Sequence, residues 1–318
     1  MQIDYRRRWA GVRRALRDAD ADAFIAVGAG NTRWLASSES PPGSPPSSTL
    51  NYVFVPKRGV PVGITSSLEG HRCRKEAGVR DLRLWSSYPD VGAEFTSAKA
   101  ALKALLEERE VGSVLSDTAL RLQRGVAVER STAVRDLRAH KGPDELKRIR
   151  VAVRHADAGQ RFARELCEAG AGRTEFEVAA EIDYFLRRRG VQETSFTTIV
   201  ASGPNAAFSH HSPGRRRLRD GDSVICDFGA FWKGYCSDIT RTYFVGGSPA
   251  PKWRKRYALV LEANERSRAA LRHGAVAQDV DGAGRNFLGR SGVGNRFVHG
   301  TGHGFGLEVH EWPSLTYG

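Results

Sequence analysis

S-V-I-C-D-F-G-A-F-W-K-G-Y-C-S-D-I-T-R-T-Y-F-V, residues 223–245, decides the fold of the second half of this chain. Two strand-like runs rich in β-branched and aromatic residues flank a turn around Trp232-Lys233-Gly234, a pattern that predicts a β-hairpin. Asp227 and Asp238 stand on opposite arms. With an even loop, Asp227 pairs with an even-numbered residue, and Asp238 lies an even number of positions from it. Side chains alternate with period two along a strand, so both carboxylates are expected on one face for any even loop. Two acids on one apolar face repel each other and are costly to desolvate. A divalent cation removes both penalties, and carboxylate oxygens suit hard or borderline ions such as Mn²⁺. Two surface acids on an exposed hairpin face would show the same spacing.

Two further clusters lie on either side. Downstream, F-V-H-G-T-G-H-G-F-G-L-E-V-H-E, residues 297–311, packs His299, His303 and His310 into twelve positions. Four glycines surround His303, a composition that lets backbone approach a site closely. Upstream, S-G-P-N-A-A-F-S-H-H, residues 202–211, places His210 and His211 on a loop after the strand-like run Phe196 to Ala201. Imidazole beside a metal can hydrogen-bond an oxyanion or move a proton. By itself this last patch reads as a solvated loop.

The surrounding sequence is mixed α and β. Lys141-Gly142-Pro143-Asp144-Glu145 is a helix-start signal, with Pro in the first turn followed by acids that suit the helix dipole. That helix is expected to reach about Ala169 and to end at Gly170-Ala171-Gly172. Thr174-x-x-Glu177 then forms a capping box for a helix through about Arg189. Trp253 to Leu271 predicts a further amphipathic helix. Composition shifts near Arg138, so two domains are expected, residues 1–137 and 138–318. The first reads as α/β: a helix from 6 to about 20, a buried strand at 23–27, a Pro-Ser loop at 40–48, a hairpin at 52–64, a helix at 98–108 and a strand at 111–115. It holds no chemical motif, and His71 reads as a surface residue. The fold class is α+β.

Bulk properties narrow the functional classes. The 318 residues carry a net charge of +13, but the basic residues are scattered, without aromatic interleaving or a nucleic-acid motif. A basic surface is expected, and no specific nucleic-acid partner. No apolar run approaches the roughly 20 residues that span a bilayer, and the N-terminus lacks a signal core. No membrane association and a cytoplasmic location are the expectations. Cys73, Cys167, Cys226 and Cys236 contain no C-x-x-C pair, which argues against a thiolate zinc site. A hairpin allows Cys226 and Cys236 to lie near each other, and two reduced, buried thiols are expected.

Taken in order, I-V-A-S-G-P-N-A-A-F-S-H-H, the D-F-G-A and S-D-I-T-R-T strands, and the H-G-T-G-H-G-F-G-L-E-V-H-E run resemble the creatinase/prolidase/methionine-aminopeptidase superfamily (peptidase family M24), Xaa-Pro aminopeptidases and dipeptidases above all. The resemblance covers residues from about 138 to the end, and the preceding domain resembles the family's smaller N-terminal α/β domain. It implies a pita-bread catalytic domain that hydrolyses peptide bonds preceding proline, using a water activated by two divalent ions. Manganese is the first choice of metal, with cobalt, zinc or iron as alternatives. Carried over position by position, the resemblance makes Asp227 a bidentate ligand of one metal, Asp238 the bridge between both and His303 a ligand of the other. His210 matches the substrate-side loop histidine. Ser-His-His stands where the family often has Pro-His-Gly, which leaves His211 as an alternative. His299 and His310 match histidines that steady the substrate carbonyl and the tetrahedral intermediate. The implied partner is a peptide with proline at its second position, and the family is often a homodimer.

The pattern also departs from the family. The resemblance implies two more glutamates downstream of L-E-V-H-E, one in an E-P-G-like turn and one in an R-x-E-D-like strand. This sequence stops at Leu315-Thr316-Tyr317-Gly318, after an apparent Pro-Ser-Leu bend and before either. Glu308 and Glu311 belong to the His310 motif and do not match those positions. The expectation is a C-terminally incomplete pita-bread domain, a fragment or a shortened paralogue, with weak metal binding and impaired hydrolysis. Two other functions compete: a non-catalytic pita-bread domain that binds a protein partner, and a creatinase-like amidinohydrolase. The second does not need carboxylate ligands, so Asp227 and Asp238 argue against it.

Overall fold

The structure is a computed structural model that describes residues 3–36, 50–88 and 92–317. The loop expected at 40–48 lies outside the described residues. Two units divide between Lys147 and Arg148.

In the N-terminal unit, α1 (Tyr5–Asp18), α2 (Ala29–Ala36), α3 (Ser67–Glu76), α4 (Ala98–Glu108) and α5 (Ala133–Ala139) accompany one sheet. Its strands are β1 (Ala23–Ala26), β2 (Tyr52–Pro56), β3 (Val62–Ser66), β4 (Asp81–Trp85), β5 (Ser113–Ser116) and β6 (Ala127–Arg130), in the order β4-β3-β2-β1-β5-β6. All four residues of β1 are buried, as a strand covered on both faces requires. Asn31 to Leu35 belongs to α2. His71 is exposed.

Helix α6 (Pro143–Glu168) starts with Pro143 and carries Asp144 and Glu145 in its first turn. The C-terminal unit follows it with α7 (Glu175–Arg188), β7 (Glu193–Thr194), β8 (Ile199–Ser202), β9 (Ser223–Phe228), β10 (Ala230–Phe231), β11 (Ile239–Phe244), α8 (Pro251–Ala270), α9 (Ala277–Arg290), β12 (Gly302–Gly304) and β13 (Glu311–Leu315). The capping box forms: the Thr174 hydroxyl accepts from the Glu177 amide, and the Glu177 carboxylate accepts from the Thr174 amide. Strands β11, β9 and β8 make an antiparallel sheet in that order. Burial along β9 alternates strictly, with Val224, Cys226 and Phe228 inside. These pack with Ala156, Ala163, Val178, Ile182 and Leu186 of α6 and α7. Phe162 and Phe185 stack beside them, centroids 4.5 Å apart. Asp227 therefore faces away from the helices, on the side of the sheet that carries the site.

Three local expectations need correcting. Residues 251–270 are helical, but α8 is not amphipathic in effect: Val260 and Leu261 are 61% and 50% exposed, and only Ala263 and Ser267 are buried. The physical reason is close packing through small groups. A Cβ added to Gly284 of α9 would lie 2.7 Å from the Ala263 carbonyl oxygen, so α8 and α9 touch along Ala263, Ser267 and Gly284. The Pro-Ser-Leu bend is part of β13. Ser314 pairs with His303 and Glu311 with Gly304, leaving Trp312 and Pro313 in an irregularity of the ladder, where a residue without N–H is tolerated. Finally, the neighbour of Cys226 is Cys167, Sγ to Sγ 3.9 Å. Strand alternation turns Cys226 toward the helix-packed core, whereas Cys236 approaches the Leu307 carbonyl. All four cysteines are free and buried.

Candidate active site

The hairpin turns tightly. Trp232 and Tyr235 bridge each other, and between them Lys233 and Gly234 have φ of 45° and 90°. Positive φ at both central residues is the two-residue turn whose twist matches antiparallel strands. One register holds throughout: Asp227 pairs with Thr240, and Ser237 donates its amide to the Ala230 carbonyl. Asp238 thus lies two residues from the partner of Asp227 and shares its face.

The carboxyls feel each other. Asp238 is pushed up to about 6, first by burial and then by the charge of Asp227, with His303 opposing. Burial also raises Asp227 above the usual carboxylate range, against the Thr240 hydroxyl (2.8 Å) and the charges of His210 and His303. His303 places Nε2 3.4 Å from Asp238 Oδ2. The His310 ring lies 4.2 Å from the His303 ring, centroid to centroid. Burial, with the charges of His303 and His210, depresses the His310 pKa and keeps that imidazole neutral at pH 7.

The structure therefore brings Asp227, Asp238, His303 and His310 into one neighbourhood, with the charge of His210 acting on Asp227 and His310, and gives His211 and His299 other partners. The exposed His299 ring packs edge-on against Phe297 at 4.9 Å, and its Nδ1 lies 2.8 Å from the Gly300 carbonyl. His211 points to Glu175, Nε2 to Oε2 2.8 Å. The donors near the hairpin suit a divalent ion chemically: two carboxylates and an imidazole, with like charges held close in a half-buried place. Their spacing does not complete a shell, because no group of three His, Cys, Asp or Glu side chains among the described residues is gathered to hold an ion.

Several supporting residues escaped the sequence reading. Gln160 of α6, almost fully buried, donates through Nε2 to the Cys226 carbonyl (3.1 Å) and the Ile239 carbonyl (2.6 Å). It clips together the two strands beside the two acids. On α9, Arg285 pairs with the wholly buried Asp281, Nε to Oδ2 2.6 Å, and donates to the Phe297 and His299 carbonyls. Asp281 also accepts from the Thr301 amide and hydroxyl. This clamp shapes the backbone leading into His303. The Asp-x-x-x-Arg spacing was the one signal available, and it is common on helix surfaces.

Glu175 carries a dense set of bonds. Its buried carboxylate accepts from the Ser202 amide (2.8 Å) and hydroxyl (2.7 Å), Asn205 Nδ2 (3.0 Å), His211 Nε2 and the Gly214 amide (3.2 Å). Burial alone would raise its pKa, but the bonds from Ser202, His211 and Asn205 outweigh that and hold it below 4.5. The folded state thus binds this proton less tightly than the unfolded state. The resulting stability is complete above about 4.5 and is lost as pH falls through the depressed value. The melting-temperature gap between wild type and Glu175→Gln should be full at pH 6 and shrink on acidification below about pH 4.5. A gap that widens on acidification would contradict this.

The model of metallopeptidase family M24 matches residues 147–318, more than half of the sequence. The chain belongs to metallopeptidase family M24. It is 40% identical over 183 residues to an Xaa-Pro dipeptidase of Pyrococcus furiosus, a match covering 58% of this chain and 52% of that protein. A second Xaa-Pro dipeptidase, from Pyrococcus horikoshii, is 40% identical over 183 residues, covering 58% of this chain and 51% of that protein. The match thus spans about half the length of these curated relatives. Among solved structures, the Xaa-Pro dipeptidase from Bacillus anthracis superposes with a TM-score of 0.84 at 28% identity, over 99% of this chain and 85% of that one. A recombinant prolidase from Thermococcus sibiricus gives 0.84 at 28%, over 100% and 86%. The fold of this M24 member is that of the prolidases, α+β and pita-bread in the C-terminal unit. No helix among the described residues is long and apolar enough to cross a membrane.

Proposed function

We propose that the C-terminal unit carries a hydrolytic site of the Xaa-Pro peptidase type, with Asp227, Asp238 and His303 holding divalent metal. The observation that carries this is the pair of acids on one hairpin face with the imidazole of His303 3.4 Å from Asp238, in an M24 chain whose relatives are named Xaa-Pro dipeptidases. Divalent ions, Mn²⁺ first, would lower the pKa of a bound water and polarise the scissile carbonyl. The two carboxylates supply the negative charge that attracts them. His310, kept neutral by burial and its histidine neighbours, offers one N–H donor and one ring acceptor, which suits it to hold a substrate oxygen or pass a proton. His210 stands near enough to Asp227 and His310 for its charge to act on both, and is the better candidate than His211 for the substrate side. The substrate is a peptide with proline at its second position.

The incomplete donor shell favours a second reading, a non-catalytic domain of the same fold that binds a protein partner. Titration calorimetry with Mn²⁺, beside assays on an Xaa-Pro dipeptide and tripeptide, separates the two. The expected result for the 318-residue chain is weak Mn²⁺ binding and slow, Mn²⁺-dependent release. Absence of both Mn²⁺ binding and hydrolysis at every protein concentration would overturn the peptidase reading in favour of the second.

A further inference from the structure

We infer that Glu175 is a positioning residue: its carboxylate locks His211 and the 202–214 loop to the edge of the sheet, so that the neighbouring His210 is presented to Asp227. This rests on the site proposed above. Four features carry it. Glu175 is wholly buried and His211 is 18% exposed, so their contact is an interior bond and not a surface encounter. The five donors to Glu175 come from both ends of one loop: Ser202 and Asn205 at its start, His211 and Gly214 at its end. One group therefore closes the whole loop. Backbone bonds reinforce the closure, from the Glu175 amide to the Arg216 carbonyl and from the Phe176 amide to the Gly214 carbonyl. Finally, Ser202 ends β8, and β8 pairs with β9 in a register that sets Ile199 opposite Asp227. The loop is thus referenced to the same sheet that bears the acid.

The adjacent histidines divide their tasks. His211 Nε2 faces an ionised carboxylate, so that nitrogen carries the proton and donates. His210 is exposed and makes no hydrogen bond among the described residues, and its charge is felt by Asp227 and His310. A carboxylate with five donors ties down a loop well, because bonds to an ionised group are stronger than neutral ones and the alternative is an unpaired buried charge. Arg216 adds a brace, donating to the Ser202 hydroxyl at 2.6 Å and pairing with Asp222 at 2.7 Å.

The test uses Glu175→Gln and His211→Gln in the 318-residue chain, with hydrogen exchange and NMR of the histidine rings. Amide exchange across 203–214 should rise about tenfold or more in Glu175→Gln, while 223–228 and 150–165 keep their protection. His211→Gln leaves the other donors on Glu175 and should show a smaller rise in the same segment. The specific readout is the His210 ring signal. In the wild-type chain it should shift on Asp227→Asn, and in the Glu175→Gln background that response should be lost. Unchanged exchange across 203–214 in both variants, or a His210 response that survives Glu175→Gln, overturns the inference. If Glu175→Gln does not fold, His211→Gln decides by the same two readouts. Mn²⁺ titration of the wild-type chain is read separately: no binding, with the loop and ring effects present, removes the metal-site reading and leaves the role of Glu175 standing.

Discussion

Replacing Asp238 by asparagine is expected to remove measurable Mn²⁺ binding at concentrations where the wild-type chain still gives heat. The substitution keeps the shape and takes away the charge that both attracts the ion and burdens the free protein. Loss of groups that merely support metal ligands costs 10–100-fold in affinity, so loss of a ligand itself should cost at least about 100-fold. The same change relieves the repulsion between Asp227 and Asp238 that, with burial, lifts Asp238 to about 6. The metal-free variant should therefore melt no lower than wild type at pH 7. Affinity and stability moving in opposite directions is the signature of a ligand; a structural acid would lose stability. His299→Gln is the contrast. The His299 ring packs on Phe297, and its removal should leave Mn²⁺ affinity within about twofold. Calorimetry and thermal melting on the three proteins check this, and unaltered Mn²⁺ affinity in Asp238→Asn would refute the site.

The second large effect concerns a glycine that no metal touches. In the hairpin register, Gly229 lies opposite Asp238. A Cβ built there would meet the Ser237 carbonyl oxygen at 1.6 Å, the Ser237 carbonyl carbon at 2.6 Å and Ser195 Oγ at 2.8 Å. Two of these are backbone atoms and cannot swing away. Gly229→Ala must therefore push the arms of the hairpin apart. A loss of about 3 kcal/mol or more is expected, at the upper end of overpacking costs, or roughly 6–12 °C in melting temperature for a unit of this size. Mn²⁺ binding should fall with it, because Asp238 moves with Ser237. Gly289→Ala serves as control: nothing lies within 4 Å of its Cβ, and in the last turn of α9 alanine should be neutral or stabilising. If Gly229→Ala melts within about 1 °C of wild type, the close approach of the two arms is not real.

What could be read without a structure was local or periodic. The face shared by Asp227 and Asp238 follows from period-two alternation and an even turn, and both operate within a dozen residues. The capping box at Thr174 and Glu177 and the start of α6 at Pro143 follow from backbone groups that a helix end leaves unpaired. The motif order located His210, His303 and His310 in sequence and left His211 as an alternative to His210.

That choice belonged to contacts between residues far apart in the chain. His211 is held by Glu175, which opens helix α7 far upstream in the chain. Cys226 meets Cys167 because α6 crosses the back of the sheet. Gln160 and the Asp281–Arg285 pair hold backbone carbonyls, and the pattern of side chains does not announce a bond to backbone. Amphipathicity misled at α8, since spacing records where apolar side chains lie on a helix but not whether anything covers them. Local rules set the elements and the direction of each side chain. The tertiary structure decided which buried polar groups found partners, because an unpaired buried charge is costly and the fold settles where each is satisfied.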